Sequence, residues 1–94
     1  MVILQIEHSV PNYDHWKQAF DSDPVGREKS GVRRYRILTA SDDPNYVIIQ
    51  LEFDSVYEAE TLLANLQGVW SRLQGTLIQA PHTRIAEVVE MVEY

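Results

Sequence analysis

The chain of 94 residues contains no cysteine. Disulfide staples, thiolate nucleophiles and zinc–thiolate centres are thereby excluded. Basic residues are scarce as well: eight lysines and arginines stand against fourteen aspartates and glutamates, for a net charge of −6. Phosphate backbones call for a basic footprint, so nucleic acid is not an expected partner, and neither is an anionic membrane surface. No apolar run approaches the roughly 18 residues of a bilayer span. The first residues lack a basic stretch ahead of an apolar one. Residues 1–6 therefore read as the start of a strand rather than a secretory signal, and a cytoplasmic location is expected. Glycine-rich phosphate loops, nucleophile elbows and paired-carboxylate motifs are missing too. The three histidines, His8, His15 and His82, show no H-x-x-x-H spacing. No metal site and no cofactor are expected.

What remains is ordinary globular material, 45% hydrophobic and 23% charged, and it fits a single domain over residues 1–94. A chain this short buries a smaller share of its surface than a longer one. Covering a second face by dimerisation would offset that deficit.

Residues 2–8 alternate, with Val2, Leu4, Ile6 and His8 on one face and Ile3, Gln5 and Glu7 on the other, which predicts a strand. Pro11-Asn12 breaks it. Asn12 is a good N-cap for a helix carrying Tyr13, Trp16 and Phe20 at helical spacing. Asp23-Pro24 looks like a restart of that helix, and Gly31 like the residue just past its end. Strands follow over residues 32–39 and 46–53, joined by the turn cluster Ser41-Asp42-Asp43-Pro44-Asn45. Ser55 with Glu58 forms a capping-box pattern that opens a second helix with the stripe Ala59, Leu62, Leu63, Leu66. Gly68 is expected to interrupt it, with a further helical turn over 69–74 carrying Trp70 and Leu73. Residues 75–82 read as loop and 83–92 as the last strand. The order β-α-β-β-α-β is the ferredoxin-like, split βαβ pattern of an α+β sandwich. Right-handed crossovers then give a four-stranded antiparallel sheet with both helices on one face.

The middle hairpin can be set in register. Pairing Ala40 with Tyr46 puts Leu38 opposite Ile48, Arg36 opposite Gln50 and Arg34 opposite Glu52. The other face receives Thr39–Val47, Ile37–Ile49 and Tyr35–Leu51, an apolar set suited to lie under the helices. The first face mixes matched charges with Ile3, Leu38 and Ile48, which suits a homodimer interface. A solvated sheet with ordinary cross-strand pairs is the plainer alternative.

Several stretches together resemble a known family: Asn12-Tyr13-Asp14-His15-Trp16-Lys17 with Phe20-Asp21, Gly31-Val32-Arg33-Arg34-Tyr35-Arg36, Asp42-Asp43-Pro44-Asn45, and Glu52-Phe53-Asp54-Ser55. They are similar to the dimeric α+β-barrel superfamily, and within it to small bacterial proteins grouped with antibiotic-biosynthesis monooxygenases and cyclase-like proteins. The resemblance covers essentially the whole chain and marks the fold more than the chemistry. It implies two sheets packed face to face across a dimer, and a small-molecule cavity between sheet and helices. Haem-degrading relatives use a histidine on or near the second helix. Residues 54–81 contain none, which disfavours that activity, and no catalytic residue carries over from the family.

From the residues themselves, His8 is the candidate catalytic group. It extends the core-facing row to the strand end, where an imidazole can act as a general base. The plainer reading is a histidine hydrogen-bonded at a strand end. Trp16, Phe20, Tyr35 and Trp70, with Tyr13, are candidates to line an aromatic substrate pocket; the plainer reading of these is core. His82 is a weaker version of His8, and His15 is expected in solvent. Arg33, Arg34 and Arg36 are split between faces by strand alternation and are expected to pair with acids. Two functions follow. One is a small-molecule-binding enzyme of the cofactor-independent monooxygenase or cyclase kind, acting on an aromatic or polyketide-like substrate. The other is a non-catalytic ligand-binding or regulatory homodimer. An RNA-recognition module on the same topology fails, because residues 46–53 are aliphatic where aromatic and basic residues are needed.

Overall fold

The structure, a computed structural model, describes residues 1–73 and 79–94. In chain order the elements are β1 (Val2–Ser9), α1 (Tyr13–Asp21), β2 (Arg34–Ala40), β3 (Asp43–Phe53), α2 (Val56–Leu73) and β4 (Gln79–Glu87). The four strands form one antiparallel sheet in the order β2-β3-β1-β4. Both helices pack on the same face, against the central strands β1 and β3. This is the ferredoxin-like architecture expected from the order of elements.

Alternation sets which residues are inside. Val2, Leu4, Ile6 and His8 of β1 are buried, as are Val47, Ile49, Leu51 and Phe53 of β3. They pair directly, Leu4 with Leu51 and Ile6 with Ile49. Ala59 and Leu62 of α2 and Trp16 of α1 close the core from above. Leu62 is fully buried; truncating such a leucine to alanine removes about 2–5 kcal/mol.

The start of α1 is tied to the sheet. Asn12 accepts the His15 N–H at 2.9 Å, while Asn45, on β3, accepts the Tyr13 N–H at 3.0 Å. Two of the otherwise unsatisfied donors of the first turn are thus used, one of them to fix the helix over the strand. At α2 the Ser55–Glu58 pair caps the helix, the Glu58 N–H donating to Ser55 Oγ at 3.2 Å and the Ser55 hydroxyl donating to the Glu58 carboxylate at 3.1 Å.

The hairpin register holds from Arg34–Glu52 through Thr39–Val47. It fails at the tip, where Ala40 faces Asp43 rather than Tyr46 across a bulge. The strands zip further than the turn cluster suggests, because Pro44 falls within this irregular tip, where the ladder is already broken and a missing donor is tolerated. β2 begins at Arg34 rather than residue 32.

Three other expectations are corrected. Asp23-Pro24 does not restart the helix: Gly26 adopts φ +66, which a right-handed helix cannot continue, and only a single turn follows. That turn does end at Gly31, as expected. The Val32 N–H returns to the Arg27 carbonyl at 3.0 Å and the Gly31 N–H to the Glu28 carbonyl at 3.1 Å. Gly68 does not interrupt α2, which runs unbroken to Leu73. It lies on the exposed side, so it weakens the helix only by its own propensity, about 1 kcal/mol against alanine. Finally, β4 occupies Gln79–Glu87 instead of 83–92. Its partner β1 ends at Val2, opposite Glu87, so residues beyond Val88 have no strand to pair with. Residues 74–78, including part of the expected loop and the end of the expected helical turn, lie outside the described residues.

Gly31 supports a prediction. It has φ +106, and a Cβ there would lie 2.8 Å from Cδ of Glu58, the capping-box residue. Gly31→Ala should therefore lose about 1–3 kcal/mol of stability in urea unfolding. A loss below about 0.5 kcal/mol, the range of neutral surface changes, would contradict this account of the turn.

Candidate functional site

The alternation of β1 delivers His8 to the buried face as the last member of an otherwise aliphatic row. It is 2% exposed and the sole buried polar side chain among the described residues. Beside it β4 carries a bulge: Glu7 pairs with His82 but Ser9 pairs with Gln79, so β4 fits an extra residue into this stretch. Pro81 falls within that irregularity. Bulges of this kind bend a strand locally and re-aim what lies next to them.

His8 Nδ1 lies 3.2 Å from the Ser9 carbonyl. A carbonyl only accepts, so Nδ1 carries the proton and Nε2 is left with its lone pair. Nε2 has no partner among the described residues. Burial pushes the imidazole pKa below the usual 6.5, opposed in part by the Ser9 carbonyl. The ring is therefore neutral at pH 7, a form able to take a proton.

Above His8 is a chamber between sheet and helices, enclosing about 80 Å³. Trp16 and Phe20 from α1 and Trp70 and Leu66 from α2 wall it, with Ile6 and Ile49 as floor. The aromatic wall is continuous. The His8 ring meets Trp16 edge-on at 6.1 Å, and Trp16 meets Phe20 at 5.2 Å. Of the residues singled out in the sequence, His8, Trp16, Phe20 and Trp70 converge here. Tyr35 does not. It is 43% exposed and stands behind this wall in the contact sequence, meeting Phe20 at 5.3 Å. His15 and His82 are exposed.

Sequence reasoning missed Arg27. This residue lines the chamber from the segment after α1, and its guanidinium lies 3.9 Å from the centre of the Phe20 ring. An isolated basic residue in a glycine-flanked loop gave no signal. Its place depends on the turn closed by Gly31. Among the described residues no group of three or more histidines, acids or cysteines is arranged to hold a metal ion, and no helix is long and apolar enough to cross a membrane.

The depressed His8 pKa has a consequence for stability. Near pH 6.5 the unfolded chain takes up a proton that the folded chain accepts only at lower pH. Stability therefore falls as pH drops below 6.5, and this contribution is absent above it. For one proton the slope is at most about 1.4 kcal/mol per pH unit. His8→Gln should flatten the urea-unfolding free energy between pH 7 and pH 5 relative to the native chain. Parallel profiles would contradict a depressed pKa.

No protein-family model matches the chain, and no curated protein matches it. Solved structures do. A putative antibiotic biosynthesis monooxygenase from Deinococcus radiodurans superposes with a TM-score of 0.70 at 16% identity, covering 100% of this chain and 98% of that one. A point mutant of SnoaB, a cofactor-independent oxygenase from Streptomyces nogalater, gives 0.78 at 12% identity over 99% and 97%. A point mutant of MhuD, with two manganese protoporphyrin IX bound per active site, gives 0.68 at 18% identity over 100% of both chains. Dimeric ferredoxin-like proteins from uncultured marine organisms are also among the matches. At these identities the likeness establishes the fold: the chain has the ferredoxin-like architecture common to antibiotic-biosynthesis-monooxygenase-like and dimeric ferredoxin-like proteins.

Proposed function

We propose that the protein binds a small aromatic molecule in the chamber and acts on it as a cofactor-independent monooxygenase- or cyclase-like enzyme, with His8 as the base. The observation that carries this reading is a buried, neutral imidazole on an apolar, aromatic-walled cavity. Removing a proton from a phenol or enol leaves an electron-rich anion, the kind of species that reacts with dioxygen without a bound cofactor. Trp16, Phe20 and Trp70 would hold the ring, and the apolar floor would keep water from the anion. The fold shared with SnoaB, described as a cofactor-independent oxygenase, supports the reaction class.

The chamber is small. Ligand pockets commonly span about 300–1,000 Å³, against about 80 Å³ here. A one-ring substrate suits it with modest breathing, whereas a polyketide-sized one requires the helices to part. The same smallness favours the second reading, a ligand-binding or regulatory protein without chemistry. Oxygen consumption separates the two. With oxidisable phenols, the native protein should consume oxygen above the protein-free rate. His8→Gln should lower that rate about 100-fold or more, the usual scale of a general base, while still binding the phenol. The native rate should also rise with pH with a midpoint below 6.5, because only neutral His8 takes a proton and burial lowers its pKa from that value. Binding with no oxygen uptake would remove the monooxygenase reading, and binding that also returns the ligand chemically unchanged would select the regulatory one. An undiminished rate in His8→Gln would remove His8 from the mechanism.

We also propose a cytoplasmic homodimer joined through the open sheet face. On that face Arg36 donates to Gln50, Gln50 to Gln5, and both Gln5 and Tyr46 to Glu7. Arg34 pairs with Glu52 at 2.6 Å. These bonds satisfy the amides and Glu7 within one protomer, and the remaining guanidinium donors of Arg34 and Arg36 would take acceptors from the second copy. Ile3, Leu38 and Ile48 then supply apolar contact. The existence of dimeric ferredoxin-like proteins with this fold supports the arrangement. Sedimentation at micromolar concentration should give twice the chain mass of 10.9 kDa; a folded monomer would refute it.

A further inference from the structure

We infer that Arg27 makes the chamber selective for anionic aromatic ligands, with the ring along the Trp16–Phe20 wall and a carboxylate or comparable anion at the guanidinium. The inference rests on the chamber being a ligand site, and it adds the chemical class of ligand.

Among the described residues lining the cavity, Arg27 is the one that carries a fixed charge. That is a costly residue to place beside an apolar space, and its side chain is only 15% exposed. Its local partners do not use it up. Nη1 donates to the Phe20 carbonyl at 2.8 Å. Asp23 Oδ1 forms an ion pair with Nη1 at 3.6 Å, longer than a hydrogen bond, and also accepts the Arg27 backbone N–H at 2.9 Å, which leaves the other guanidinium nitrogens uncommitted. Nε and Nη2 have no acceptor among the described residues. No buried polar side-chain atom of those residues is sealed in without a partner, so both nitrogens keep accessible surface.

The guanidinium is also held in place. It lies over Phe20 at 3.9 Å and within 5.1 Å of the Tyr35 ring. Contact with two rings set at 69° to each other limits the movement of the fork, and a preorganised fork is what planar anions pair with. This gives Tyr35 a role outside the chamber as a backing for Arg27. The wall then has two functional ends. His8 touches Trp16, Trp16 touches Phe20, and Phe20 carries Arg27. A ligand lying along it would meet a proton acceptor at one end and a cation at the other. In a chain of net charge −6, a retained cation at the cavity is the local feature that draws in an acid.

Benzoate and benzamide, equal in shape and different in charge, test this at pH 8, where His8 is uncharged. Binding is read from the Trp16 and Trp70 indole N–H signals by NMR. In the native protein benzoate should bind at least about tenfold tighter than benzamide, the margin of a charge-assisted pair. Arg27→Met should abolish that preference while leaving benzamide binding within about twofold. Should Arg27→Met not fold, the Arg27 Nε–H resonance of the native protein decides: it should move with benzoate and stay still with benzamide. Equal binding of the two, an unmoved Nε–H, or a preference that survives Arg27→Met overturns the role of Arg27 and leaves the chamber as a ligand site. Failure of both molecules to bind overturns the chamber and the inference together.

Discussion

The period-two alternation of β1, locked to β3, is the constraint on which the rest of the structure depends. Leu4 opposite Leu51 and Ile6 opposite Ile49 fix which face is inside. A slip of one residue would send the whole row to the other side. His8 enters the interior only because it is in phase with Val2, Leu4 and Ile6. The same phase sends Gln5 and Glu7 to the open face, where they join the polar chain that also takes in Gln50 and Tyr46. One register therefore creates both an interior that holds an imidazole and a hydrogen-bonded polar exterior.

Placing an imidazole in a core this small works against stability, since a buried polar group must find a partner. The Ser9 carbonyl supplies one for Nδ1, and the second nitrogen is left over. Arg27 repeats the pattern at the other end of the aromatic wall, with one donor satisfied and others unspent. A residue chosen for packing alone would be apolar at either position. Unspent hydrogen-bonding capacity at both ends of one apolar cavity is what gives the fold, shared by proteins of differing function, a specific chemical character here.

Much of this was legible in the sequence, and the reasons are local. Alternation and cross-strand sums placed Arg34 against Glu52 and Arg36 against Gln50, because both strands are regular and the hairpin is short. Asn12 and the Ser55–Glu58 pair announced their helices through capping chemistry. Face and spacing put His8, Trp16 and Phe20 on the core side, whereas Trp70, expected on a separate turn past Gly68, lies on the same continuous helix as Leu62 and Leu66. What failed was decided by tertiary context. The hairpin tip bulges because the strands continue past the turn signals. Gly68 stays helical because it faces solvent while the residues around it pack. β4 stops where β1 stops, whatever its β-propensity beyond Glu87. Arg27 was invisible because its position follows from left-handed Gly26 and Gly31 and from the Phe20 and Tyr35 rings it packs against, none of which a linear pattern connects.

The central claim is that His8 is a neutral base whose Nε2 is available to a molecule in the chamber. Long-range proton–nitrogen NMR of the imidazole rings tests it most directly, by reporting tautomer and titration together. The account predicts Nδ1 protonated, Nε2 bare, a midpoint below 6.5, and a shift of Nε2 when a phenol is added. A proton on Nε2, or a midpoint at or above 6.5 with no response to the phenol, would contradict it.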